Sequence, residues 1–373
     1  MKIVFDCREE GRNATGIGTY VRNLAREIRL RHEPGMSCLC VPEHPGEPPP
    51  ARVRTTAEQF AHLIENLYWK QLYLPARYLV ERADLLVCMD PVVPFACPGK
   101  MAAVIYDLIF LRGTAQASAW TYYWRLMVPY AARRADLILT LSEATKTEIV
   151  RRLHVPESRI KVFRTGVAPH FRPMKWSARD REVVRSELGL PPAFILSVGA
   201  HDPRRNLKTL LEAFRLLVVS EKVRHALVVI GAKTRFFPEV LAHTRALGLS
   251  DSVLYLDHVP HERLHFYYNL ADLYVYPSLE EGFGLTPLEA MACGCPVVAS
   301  NVSALPEAVG DAALVVDPRD ARALSSAMGR LLRDRSERRR WRERGLERTR
   351  ECSWRLGADD ILEACAELVG RRG

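Results

Sequence analysis

At 373 residues the chain is too long for one comfortable core and suits two α/β domains. Its 48% apolar and 26% charged residues are an ordinary balance for a folded soluble protein, and no apolar run approaches the roughly 18 residues that cross a bilayer. The net charge of +9 lies mostly in the first half: residues 1–172 carry 24 Lys+Arg against 17 Asp+Glu, whereas 173–373 carry 29 against 27. A basic first half suits nucleotide phosphates, anionic lipid headgroups or an acidic glycan. No nucleic-acid recognition module accompanies it, so nucleic acid is excluded as a partner.

In chain order, MKIVFDCREEGRN runs straight into a strand-like segment and acidic residues, unlike a signal peptide. Lys2–Cys7 reads as a strand, Ile17–Leu30 as a helix and Met36–Val41 as a second strand, before a Pro-rich loop over Pro42–Pro50. Phe60–Leu79 is helical and aromatic. Strands at Asp84–Met89 and Met101–Tyr106, a helix near Ala117–Arg134, a strand at Leu137–Thr140, a helix at Glu143–Leu153 and a strand at Ile160–Arg164 complete a βα series with a mostly parallel sheet. A turn-rich stretch near residue 170 opens a second series. Its strands are Phe194–Val198, Ala226–Ile230, Val253–Asp257, Leu273–Tyr276, Pro296–Ser300 and Ala313–Val316, with helices at Leu207–Val219, Phe237–Leu247, His261–Asn269 and Thr286–Ala292. Two such series predict two doubly wound domains with ligands at the carboxyl ends of the strands, in a cleft between them. The Arg-rich run from Arg333 to Arg350 reads as a solvated helix face. Nine cysteines scattered in apolar segments, with no Cys-x-x-Cys pair, read as buried free thiols of a reducing compartment, which implies a cytoplasmic location.

The densest stretch is Pro277 to Pro306, PSLEEGFGLTPLEAMACGCPVVASNVSALP. Glu281 and Glu289 flank a turn, Gly282-Phe283-Gly284-Leu285, whose backbone N–H groups open a helix. Pro287 near its start needs no N–H partner, and a helix start favours an anion. Glu289 in Thr286-Pro287-Leu288-Glu289 also fits a capping box. Ser278 stands just before the carboxylate loop, where it suits a bond to that loop or to phosphate. Upstream, Gly16-Ile17-Gly18-Thr19-Tyr20 lacks the third glycine and the close strand of a dinucleotide fingerprint, which argues against a nicotinamide cofactor.

The run E-GFGLTPL-E resembles the C-terminal signature of retaining GT-B glycosyltransferases of family 4, closest to bacterial O-antigen mannosyltransferase-like members. The resemblance implies a GT-B fold: an N-terminal Rossmann-like acceptor domain over residues 1–170, joined by a C-terminal helix at about 352–373, and a donor domain over 171–351. It implies retention of configuration, no bound metal and no tightly bound cofactor. The implied donor substrate is a nucleoside diphosphate sugar, GDP-mannose by preference. The implied acceptor is a glycan or lipid-linked sugar in lipopolysaccharide O-antigen synthesis, at the inner face of the cytoplasmic membrane, with peripheral contact to anionic lipid.

Carried onto this sequence, the family's pattern gives Glu281 the sugar and the oxocarbenium-like centre, and Glu289 the ribose. The diphosphate falls to Arg205, the Gly16–Gly18 loop and the turn Gly282, Phe283, Gly284 and Leu285. Backbone groups at Val259 hold the base. In Pro203-Arg204-Arg205-Asn206-Leu207 the family's Lys is replaced by Arg205, whose planar fork suits phosphate oxygens; Arg204 is expected in a surface or domain-holding salt bridge. Where many relatives have His-Asp-Leu this chain has Tyr106-Asp107-Leu108, so Tyr106 and Asp107 stand near the reacting sugar, with Tyr a poor base at neutral pH. Alternatives are another UDP-, ADP- or GDP-sugar donor, a sugar-nucleotide epimerase, a non-catalytic glycan- or nucleotide-binding subunit and, weakest, a dehydrogenase.

Overall fold

The computed structural model describes residues 1–12, 16–32, 34–46, 56–112 and 119–370. Positions 47–50 of the Pro-rich loop and the first two residues of the expected Ala117 helix lie outside them. The chain divides into two compact units, Met1–Gly166 with Ser353–Gly373, and Val167–Cys352.

In the first unit β1 (Lys2–Asp6), β2 (Ser37–Val41), β3 (Leu85–Cys88), β4 (Lys100–Val104), β5 (Leu137–Thr140) and β6 (Ile160–Val162) form one parallel sheet in the order β2-β1-β3-β4-β5-β6. The second unit's sheet contains β7 (Phe194–Val198), β8 (Ala226–Ile230), β9 (Val253–Leu256), β10 (Leu273–Tyr276), β11 (Val297–Ser300) and β12 (Leu314–Val316), ordered β12-β11-β10-β7-β8-β9. Parallel strands need crossover helices, which cover both faces of the sheet. That is why the strands read as unbroken apolar runs: in β10, Tyr274 and Tyr276 enter one core layer, and Leu273 and Val275 the opposite one.

The helix expected over Phe60–Leu79 forms with an irregularity. It runs Thr56–Tyr68, widens to a π turn at Trp69–Tyr73 and resumes at Leu74–Val80. Pro75 explains the widening: it has no N–H to give, and its ring crowds the carbonyl four residues back. The Leu74 N–H reaches back five residues to the Trp69 carbonyl.

The Arg-rich run is the helix Arg335–Arg350, capped by Asp334. It is not wholly solvated, because Trp341 and Gly345 are buried against the second unit's core. The helices Ala178–Glu187 and Ala321–Arg333 were not anticipated from the sequence. The last helix, Trp354–Gly370, belongs to the first unit, where Arg164 pairs with Asp360 and the Lys100 ammonium donates to the Leu368 carbonyl at 2.8 Å. Seven cysteines are buried and free, while Cys38 and Cys352 are only half-buried. Among the described residues no helix is long and apolar enough to cross a membrane.

Candidate functional site

In the second sheet the strand order reverses between β7 and β10, and the crevice outside their carboxyl ends is where doubly wound folds take ligands. Two loops leave these ends. They are laced together: the Leu279 N–H donates to the Arg204 carbonyl at 2.9 Å, the Asn206 amide to the Pro277 carbonyl at 3.1 Å, and Arg204 Nη1 to the Glu280 carbonyl at 3.1 Å.

Glu281 sits in the middle of the lacing. Its Oε1 accepts from the Ser278 hydroxyl at 2.7 Å and the Tyr276 hydroxyl at 2.9 Å, and its Oε2 from Arg204 Nη1 at 3.2 Å. Arg205 also bonds Glu281 and Tyr276, its guanidinium 5.3 Å from the centre of the Tyr276 ring. Arg204 therefore shares the carboxylate with Arg205 inside the unit, where a surface or domain-holding bridge was expected. Charged hydrogen bonds of this kind are the strong ones.

Past Glu281 the chain turns through Gly282 and a partly buried Phe283 that packs on the core. Gly284 caps the helix Leu285–Ala292 at φ 117°, and a Cβ there would lie 2.6 Å from Leu305 Cδ2, so both backbone and space demand glycine. Within this helix, one turn on from its start, Glu289 is buried. Its Oε1 lies 2.7 Å from His261 Nε2, and its Oε2 accepts from the Tyr268 hydroxyl at 3.3 Å. The capping-box bond is not what this carboxylate makes. Val259, in the loop after β9, is half-buried with its side chain against the same core layer.

The other expected site residues lie in the first unit. Gly16, at φ 58°, opens the helix Ile17–Arg29, in which Gly18 is buried. Tyr106 is buried; its hydroxyl donates to the Met89 carbonyl at 2.8 Å, and its ring lies 5.2 Å from that of Tyr20. Burial, then the nearby Asp90, pushes the phenol well above its ordinary pKa, so it is a hydrogen-bond donor and no base. Asp107 Oδ1 accepts from the Ile109 N–H at 3.0 Å and so closes the turn Ile109–Leu111.

One constellation escaped the sequence. The first sheet reverses its order between β1 and β3, and there Lys70, from the π turn, sets its ammonium 2.5 Å from both Asp6 and Asp90. Trp69 Nε1 donates to Asp6 at 2.9 Å. Burial works to lower the Lys70 pKa, and the two aspartates outweigh it. Burial, then Asp90, raises Glu9 to about 7. No motif joins residues 6, 9, 70 and 90. The only hint was an acidic residue just beyond two apolar strands. No local pattern marks His261 either; the nearby His258 is exposed.

Two family models match: one for glycosyl transferases group 1 over residues 179–348, and one for glycosyltransferase family 4 over residues 14–171. The chain is 38% identical over 225 residues to the O-antigen chain mannosyltransferase B of Escherichia coli, a match covering 59% of this chain and 58% of that protein. It is 28% identical over 278 residues to the serotype-specific mannosyltransferase WbdA of Escherichia coli, covering 73% of this chain and 34% of the relative. The chain thus spans less than two thirds of the length of either relative. Among solved structures, Anabaena Alr3699/HepE in complex with UDP and glucose superposes with a TM-score of 0.71 at 18% identity, each chain covered in full. That last likeness speaks for the fold alone. Two parallel six-stranded Rossmann-like units, matched in turn by the two models, place this chain in glycosyltransferase family 4, on the GT-B fold.

Proposed function

We propose that the protein transfers a hexose from a nucleoside diphosphate sugar to a hydroxyl of a glycan or lipid-linked acceptor in surface polysaccharide synthesis, with mannose from GDP-mannose as the preferred donor. One observation carries this: two guanidinium groups share the single carboxylate of Glu281 beside a glycine-opened helix start, at the strand-order reversal of the second sheet. Arg204 is shared between Glu281 and Asp202, which lies 3.9 Å away, and Arg205 exchanges its bond to Glu281 for bonds to a diphosphate when the donor binds. Arg205 and the N–H groups at residues 282–285 take the diphosphate. Glu281, left to Arg204, Ser278 and Tyr276, turns to the sugar, and Glu289 to the ribose. Negative charge grows on the leaving diphosphate as the glycosidic bond breaks, so donors fixed there lower the barrier more than they tighten the ground state. Arg204 and Ser278 hold Glu281 while Arg205 is drawn to the phosphates. The names of the O-antigen relatives favour mannose.

The acceptor falls to the first unit, where the partly buried Glu9 and Asp90 edge a strand-end cluster closed from within by Lys70 and Asp6. Peripheral contact with an anionic membrane is supported by exposed Phe60, Ile64, Leu67, Tyr68 and Leu72 along the helix between β2 and β3. An apolar face of this extent is unusual on a surface bathed only in water. Trp69 and Tyr73 lie outside this face: they stack on each other at 4.3 Å and pack on the core, and Trp124 packs on Phe110 at 5.8 Å.

A thermal-shift panel of GDP-, UDP- and ADP-sugars tests the donor, because a ligand stabilises the fold it binds. GDP-mannose should give the largest shift, and labelled mannose should then appear in a glycan acceptor. Stabilisation by another sugar nucleotide alone replaces mannose, and binding without transfer leaves a non-catalytic subunit. Co-sedimentation with anionic but not neutral liposomes tests the membrane contact.

A further inference from the structure

Glu289 is held from both ends by side chains outside the signature that contains it. His261, at the start of the turn His261–Arg263 after β9, sets Nε2 2.7 Å from Glu289 Oε1, and Tyr268 donates to Oε2 at 3.3 Å. A carboxylate only accepts, so the imidazole carries its proton on Nε2. Phe171 stands edge-on to the His261 ring at 5.0 Å and His170 at 5.6 Å, while Tyr268 is wholly buried. Neither donor has room to turn away.

Each carboxylate oxygen has more than one lone pair. With His261 and Tyr268 each taking one, both oxygens keep an acceptor position, and their plane is fixed before any ligand arrives. Two fixed acceptors side by side match two adjacent hydroxyls. We propose that His261 is a positioning residue that presents Glu289 to the vicinal diol of the donor's ribose, making the site selective for ribonucleotides over 2′-deoxyribonucleotides. This rests on the assignment of Glu289 to the ribose. A site built to bond a hydroxyl rejects the analogue lacking it, because its own buried group is left unpaired.

The test is calorimetric titration of the whole chain with GDP against 2′-deoxy-GDP, and UDP against 2′-deoxy-UDP, in wild type, His261→Ala, His261→Gln and Glu289→Ala. The wild type should favour the ribose form of the nucleotide it binds by about tenfold or more, as for a hydrogen bond to a charged group. Glu289→Ala should abolish that preference. His261→Ala should cut it at least about threefold while leaving affinity for the deoxy form unchanged, and His261→Gln, whose amide can donate from near the same place, should restore it. The preference is a ratio within folded protein, so a lowered melting temperature does not obscure it. If His261→Ala keeps the wild-type ratio, or loses both forms equally, while Glu289→Ala loses the preference, His261 is merely structural and the proposal falls with the ribose assignment intact. If Glu289→Ala keeps the ratio, or no nucleotide binds the wild type, the ribose assignment itself falls and takes this proposal with it.

Discussion

Both units set a charged knot outside the strand ends where their sheet reverses its order, yet they build it from opposite materials. In the first, one ammonium, Lys70, sits between Asp6 and Asp90 with Glu9 close by; in the second, two guanidinium groups close on Glu281. Topology dictates the place, since backbone ends and crossover loops converge there whatever the sequence. The sign is a matter of side chains. Guanidinium groups at a strand end suit a diphosphate, and carboxylates suit neutral hydroxyls. The basic charge of the first half therefore does not describe its strand-end cluster, where three carboxylates, Asp6, Glu9 and Asp90, gather round Lys70 with Arg8 and Arg12 at the margin.

The contrast is sharpest in burial. Lys70 is buried with both its partners largely enclosed, whereas Arg204 and Arg205 keep roughly a fifth to a quarter of their side chains exposed. Lys70→Met should destabilise the fold by about 3–5 kcal/mol in urea unfolding, because two enclosed carboxylates lose their counterion. Arg204→Met should cost clearly less. Equal losses would dissolve the distinction between a closed knot and one open to ligand.

For the second unit the larger effects should appear in activity. Glu281→Ala should lower turnover by about 10²–10³-fold, as for loss of a group aimed at developing charge, in a protein that still folds. Unchanged turnover with the natural acceptor would remove Glu281 from the chemistry. Arg205→Ala should weaken nucleoside diphosphate and sugar nucleotide together by about 2–3 kcal/mol, and Arg205→Lys should recover much of that, leaving a point charge in place of the fork. Titration giving the same affinity in Arg205→Ala as in wild type would transfer the diphosphate to the helix start alone.

The same contrast explains what was legible in the sequence. Arg205 lies in one short run and Ser278, Glu281 and the glycine turn in another, each a single loop leaving a single strand; spacing places the members of each run together, and the family resemblance joins the two runs. The strands were legible too, because burial on both faces writes them as apolar blocks; β8, for instance, occupies the expected residues Ala226–Ile230. Asp6, Lys70 and Asp90 come from a strand end, a π turn and a different strand end, and only the folded sheet brings them together. The segment Phe60–Leu79 reads simply as a helix, and nothing in it marks the π turn that carries Lys70 inward. His261 likewise reaches Glu289 across 28 positions, with no local pattern to mark it.

The smallest expected effect probes the acidic character of the first knot through pH. Burial, then Asp90, holds the Glu9 carboxyl at about 7 in the folded chain, against roughly 4.3 when unfolded. Below the lower value both states are protonated and Glu9 is neutral to stability. Between the two, the unfolded chain gives up its proton while the folded chain keeps it, so stability falls as pH rises through the window and levels off above about 7. Glu9→Gln cannot ionise and escapes this loss. It should therefore match the wild type near pH 4.5 and exceed it at pH 8 by about 1–2 kcal/mol once partial exposure is allowed for, read as a higher melting temperature. The second knot supplies the control: Glu281→Gln gives up ion pairs to two arginines and should gain nothing at pH 8. A Glu9→Gln advantage that is the same at both pH values would mean that the carboxyl is not confined with Asp90 and that the first knot is less acidic than its geometry indicates.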